Sequence, residues 1–190
     1  DIDLLILENN LGFARGNNVG IAYARNKYDP KYIVTLNNDI VLLQENTIEL
    51  IEHEFCESKF AVLGPMVYTA DGRCSDNPGT NKPLSLCELE KKIAEYEKNL
   101  FLCRWKLRKI YAIWTALKNR VYKTNIKDDM HKQYLHREYN VQLHGCFLCF
   151  SEEYFKYFDG FYPETFLYME EDILFYLTQQ KKLTTVYLPE

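Results

Sequence analysis

An α/β fold with a mainly parallel sheet and helices on its faces is what this sequence predicts, from three observations. Short apolar runs (LLIL, YIVTL, AVLGPMVY) alternate with stretches of helical periodicity, and that alternation implies strand–helix–strand units. The first such unit is complete within 36 residues: an apolar run, an Asn/Gly loop, a helical stretch and a β-branched run. The chain has 190 residues, 47% of them hydrophobic, enough for one domain of ordinary size with a substantial core.

Each element follows in order. Leu4–Leu7 form a short apolar strand that enters ENNLGFARGNNVGIAYARN, residues 8–26. Gly and Asn tolerate backbone angles that other residues avoid, and they leave room for a ligand beside the main chain. A loop of that kind, opening a helix from Val19 to Lys27, is a candidate cradle for an anionic or polar group. Lys31–Leu36 (KYIVTL) is the next strand. Asn46 or Thr47 caps a helix with Ile48, Ile51 and Phe55 on one face, and AVLGPMVY is a strand closed by the turn TADGR. From Ser85 to about Asn125 the pattern is helical, as one long helix or two. VQLHGCFLCF then reads as a strand, SEEYFKYF as a helix start capped by Ser151, and FLYMEEDILFYLTQQ as a helix leading into the strand TTVYLP. The expectation is a single domain over 1–190 with a helical insertion at about 85–127.

Composition limits the function classes. Twenty-three basic and 27 acidic side chains give a net charge of −4, which argues against a surface built for nucleic acid. Six cysteines are scattered, no signal-peptide pattern is present, and reduced thiols in a cytoplasmic protein are expected. No apolar run approaches the roughly 20 residues of a membrane-spanning helix. Charge is uneven, however: Lys98 to Lys127 holds nine Lys and Arg residues and no Asp or Glu. A cationic, Trp-bearing amphipathic stretch can rest on an anionic membrane surface or meet a lipid-linked acceptor; it can equally be a solvated insertion whose Leu, Ile and Trp side chains pack on the domain.

Two further stretches carry candidate chemistry. In LNNDIVLL an apolar strand ends in Asn37-Asn38-Asp39, and ligands of open parallel sheets sit beyond the carboxyl ends of strands. Asp39 suits a hard divalent cation, which keeps several waters and binds through one or two carboxylates plus the phosphates of a substrate. The same three residues also have the composition of an ordinary turn. In FLYMEEDILFYL, Glu170, Glu171 and Asp172 open a helix, where the helix dipole favours acidic residues without any catalytic role. Flanking Phe166, Tyr168 and Phe175 suggest instead that one carboxylate is partly desolvated and serves as a general base.

Taken in that order, ENNLGFARGNNVGI, LNNDIVLL and HGCFLCFSEEYFKYFDGFYPETFLYMEEDILFYL resemble the family 2 glycosyltransferases of the GT-A fold, particularly their rhamnosyltransferase-like bacterial branch. The resemblance covers most of the chain outside the basic insertion, and its specificity lies in the three motifs together. It implies a three-layer α/β/α sandwich that moves a sugar from a nucleotide-diphosphate sugar, UDP- or dTDP-linked, to an acceptor hydroxyl with inversion, in cell-surface polysaccharide synthesis. It further implies that Asn10, Gly12, Arg15, Gly16 and Asn18 border the nucleoside and ribose. Asp39 would hold Mg²⁺ or Mn²⁺ and the diphosphate, with Asn37 and Asn38 beside it. Gly145, after His144, matches the small residue that starts the acceptor-side segment. Glu171 falls where the family's base sits, with Asp172 a competing candidate and Glu170 beside them. The implied partners are a nucleotide sugar and a glycan or lipid-linked glycan acceptor, in the cytoplasm or at the inner face of the membrane.

The family's N-terminal strand with its D-N-x-S-x-D segment, and the His beyond its closing L-P, have no counterpart here; weak or no activity of this chain in isolation is the corresponding expectation. Two rival classes are nucleotidyl transfer, which uses a similar sheet and metal-held phosphates, and a non-catalytic membrane- or partner-binding module. Cys146-x-x-Cys149 lacks the second pair that a four-ligand zinc site needs, and His131 and His136 fall in a polar linker. None of these is assigned a metal.

Overall fold

The computed structural model describes residues 2–68, 77–105 and 135–189. The chain divides into two compact units, one formed by Asp1–Pro83 with His131–Glu190 and the other by Leu84–Met130.

In the first unit the elements run α1 (Phe13–Tyr28), β1 (Tyr32–Leu36), α2 (Thr47–Ser58), β2 (Val62–Pro65), then, beyond the second unit, β3 (Glu138–Tyr139), β4 (Phe147–Ser151), α4 (Glu152–Phe155), α5 (Glu170–Gln180) and β5 (Thr185–Leu188). The strands form one sheet in the order β1-β4-β2-β5-β3. The expectation of a mainly parallel sheet is corrected: only β2 and β5 run parallel, while β4 pairs antiparallel with β1 and β2, and β3 antiparallel with β5. The cause is the late strand β4, which enters reversed between two early ones, Leu36 opposite Phe147 and Val62 opposite Phe150. The mixed α/β class stands.

Side-chain alternation along the strands builds two apolar faces. Val62, Leu148, Phe150 and Tyr187 pack with Ala14 and Ile21 of α1 and Leu174 of α5. Leu63, Phe147, Cys149, Val186 and Leu188 pack with Ile51 and Phe55 of α2. All five residues of β4 are buried, as expected of a strand covered on both sides.

Two local expectations need correction. Residues 4–7 form no strand; Leu4 and Ile6 are 80% and 84% exposed, and Asp3 is tied instead to Lys27 at 2.8 Å and to the Tyr28 hydroxyl at the end of α1. A strand exists only by pairing its N–H and C=O groups, and no ladder reaches this stretch among the described residues. Helix α1, moreover, begins at Phe13 rather than Val19. Gly12 stands before it at φ 81°, a left-handed angle suited to glycine, and the Phe13 N–H donates to the Phe166 carbonyl at 2.8 Å. The supposed loop is therefore largely the first turns of a helix.

Ser151 caps α4 as expected, its hydroxyl accepting from the Glu153 N–H at 3.2 Å. Asn46 precedes α2 without a side-chain cap, and the Thr47 hydroxyl donates to the Gln44 carbonyl. The TADGR turn lies outside the described residues.

Within the second unit, α3 spans Leu86–Arg104 and opens with a capping box: Ser85 Oγ accepts from the Glu88 N–H, and the Ser85 N–H donates to Glu88 Oε2 at 2.8 Å. The basic stretch beyond residue 105 lies outside the described residues. Among the described residues no helix is long and apolar enough to cross a membrane.

Candidate active site

The Asn37–Asp39 triplet leaves β1 as a turn closed by the Ile40 N–H to the Asn37 carbonyl at 3.3 Å. The triplet is thus a turn, with Asp39 exposed in it. What stands beside it is set by the β1–β4 register. The Asn37 N–H donates to the Cys146 carbonyl at 3.0 Å, continuing the ladder past Leu36 and Phe147.

The segment His144-Gly145-Cys146 connects this turn to the acidic triplet. The Gly145 N–H donates to Glu171 Oε1 at 3.1 Å. The Cys146 thiol is pushed above the usual thiol range, mainly by burial and additionally by the negative charges of Asp39 and Glu171. Asn77 steadies the segment from below: buried, it accepts from the His144 N–H at 3.2 Å and donates to the Pro65 carbonyl at 2.6 Å.

The three acidic side chains of α5 part company. Glu170 is 5% exposed, and its Oε1 has no hydrogen-bond partner among the described residues. Glu171 turns to Gly145, and Asp172 is half-buried. Tyr168 and Met169, both at left-handed φ of 74° and 72°, swing the chain into the helix, a conformation that costs non-glycine residues of order 1 kcal/mol each. Phe166 and Tyr168 are 60% and 73% exposed while Phe175 belongs to the interior, so the first two do not enclose the triplet.

The Asn/Gly segment is clipped to the loop that leads into α5. Arg15 Nε donates to the Pro163 carbonyl at 2.7 Å, and Arg15 lies 4.0 Å from Glu164. Asn18 spends both ends of its amide on Phe161, donating to its carbonyl at 2.8 Å and accepting from its N–H at 2.7 Å. A Cβ on Gly12 would collide with the Phe166 carbonyl and one on Gly160 with Asn18, whereas one on Gly16 would meet nothing within 4 Å. Asn10 accepts from the Gly12 N–H at 2.9 Å. Arg15 and Asn18 thus brace the site; Gly16 and Asn10 face open space and solvent.

A cavity of about 500 Å³ runs from Asp39 past Leu42 and Leu50 to Met66, Phe147 and Leu188. Its walls are mostly apolar, with Gln44, Thr47 and Tyr68 among them and Asp39 as the carboxylate.

A divalent ion fits Asp39 in one manner only. Among the described residues no three His, Cys, Asp or Glu side chains gather into a cage, so the ion would be held by Asp39, the neighbouring amides, water and the phosphates of a bound ligand, as is usual for Mg²⁺. Cys146 and Cys149 are buried in or beside β4, and burial raises both thiols, that of Cys149 up to about 12. His136 is exposed and His131 lies outside the described residues.

Sequence reasoning missed Asn77, the Phe161 backbone and the early start of α1, none of which carries a periodic signal. The chain matches no family model, no curated protein and no solved structure.

Proposed function

We propose that the chain is a glycosyltransferase that moves a sugar from a nucleotide-diphosphate sugar to an acceptor hydroxyl with inversion at the anomeric carbon. The observation that carries the reading is the Gly145-Cys146 segment, whose Cys146 carbonyl accepts from the Asn37 N–H and whose Gly145 N–H donates to Glu171. A divalent ion held at Asp39 would offset the charge that builds on the leaving diphosphate. Glu171 takes the proton from the acceptor hydroxyl as its oxygen attacks the anomeric carbon and the bond to the diphosphate breaks. One base, with no second carboxylate as nucleophile, gives inversion. The Gly145 N–H donates to the Glu171 carboxylate, and on that contact the base is assigned to Glu171, with Asp172 as the alternative.

Thermal-shift measurements with UDP- and dTDP-sugars and Mn²⁺ test the reading. Stabilisation is expected for the native chain, is lost in Asp39→Ala, and survives in Glu171→Gln while transfer stops. Stabilisation retained in Asp39→Ala removes its metal role, and an Asp172→Asn variant that stops transfer in place of Glu171→Gln moves the base by one residue. Release of pyrophosphate instead of nucleoside diphosphate would establish nucleotidyl transfer.

A further inference from the structure

Helix α3 buries none of its residues, although its sequence is amphipathic. Leu86, Leu89, Ile93, Tyr96, Leu100 and Cys103 recur at alternating steps of three and four, the spacing that lets two helices supercoil with one apolar seam. Leu86 is 80% exposed, Ile93 56%, Tyr96 57% and Leu100 69%. Helices in proteins gain most of their stability by packing such a stripe, and an isolated helix of this length is marginal in water. Among the described residues nothing covers this seam.

Charge placement says what the partner is. With Leu86 at position a of the heptad, Glu90 and Glu97 occupy e and Lys92 occupies g. In a parallel pair a g residue faces the e residue of the next heptad on the other helix, so Lys92 of each copy meets Glu97 of the other. Four acidic and four basic side chains balance along α3, which gives the helix no net charge to seek an anionic lipid surface. A basic or acidic partner helix would find no complementary excess, whereas an identical helix finds both opposite charges in register.

We propose that the Leu86–Cys103 face of α3 is the seam of a parallel, in-register two-stranded coiled coil between two copies of this chain. Cys103, at position d, then lies opposite its own counterpart across the dimer axis.

Sedimentation velocity of the full chain at tens of micromolar is expected to give twice the 22.6 kDa chain mass. The double variant I93E/L100E gives the single-chain mass. Glu97→Lys weakens association at least fivefold, and K92E/E97K together restore it, since the exchange keeps the charge pairing but reverses its sense. An independent reading needs no seam variant: diamide, taking two electrons and two protons from two thiols and becoming the hydrazine, links the native chain into a covalent dimer that Cys87→Ser retains and Cys103→Ser loses. A single-chain mass for the native protein, a dimer indifferent to I93E/L100E, or a cross-link that persists without Cys103 overturns the proposal. So does a monomer that floats with phosphatidylserine vesicles, which would make the face a membrane contact.

Discussion

Gly145 has no Cβ, and one built there would stand 2.5 Å from Glu171 Oε1. The obstructed atom is the end of a flexible side chain, so Gly145→Ala is expected to cost less than about 1 kcal/mol of stability. It nevertheless pushes the carboxylate off the Gly145 N–H, and transfer activity is expected to fall at least tenfold; a variant with full activity would show that this hydrogen bond does not position the base. At Cys149 the argument concerns pH. Burial raises the folded thiol to about 12, and Tyr154 is raised by burial as well. Above an ordinary thiol pKa of about 8.5 the unfolded chain has lost a proton that the folded chain keeps, so stability declines with rising pH. Urea midpoints measured from pH 8 upward are expected to fall steadily on that account, and a flat profile would contradict the burial of both groups. The acidic triplet and the Asn-Asn-Asp turn were legible from residue types alone. That Glu170 is buried, that Glu171 faces Gly145 and that Asn18 serves as a brace depend on contacts across more than 25 positions of sequence, beyond the reach of any local pattern.

Capping signals were readable where the helix is local and misleading where tertiary contacts set its start. Ser85 and Glu88 form a reciprocal capping box, a pattern that depends only on residues three apart. Replacing Ser85 by Ala is expected to remove about 1 kcal/mol of helix stability, read as a loss of ellipticity at 222 nm, and to weaken the proposed self-association with it. Ser151 behaved similarly at α4. Helix α1 is the opposite case. Asn and Gly discourage a helix interior, yet Phe13–Asn18 are helical because Phe13, Arg15 and Asn18 are held by the loop at Phe161–Phe166. Packing outweighed propensity there, as it commonly does.

Across the first unit, the sheet and its two apolar faces decide where the motifs meet. Leu148 is fully buried in β4, between β1 and β2, so Leu148→Ala leaves a cavity at the centre of the sheet. The expected loss is about 3 kcal/mol in chemical denaturation, with nucleotide-sugar stabilisation weakened in parallel because β4 carries the Gly145-Cys146 segment. A loss under about 1 kcal/mol would place this strand outside the core.

The sequence by itself determined the class α/β, most of the helices and strands, the caps at Ser85 and Ser151 and the polar clusters at strand and helix ends, because each rests on residue spacing within a turn or a strand. Only the tertiary structure decided strand direction and the neighbours of each cluster. A residue's alternation between two faces is the same whether its strand runs parallel or antiparallel, so the pattern of β4 could not announce that it enters reversed. That single reversal brings the Cys146 carbonyl to the Asn37 N–H, next to the Gly145 N–H that donates to Glu171.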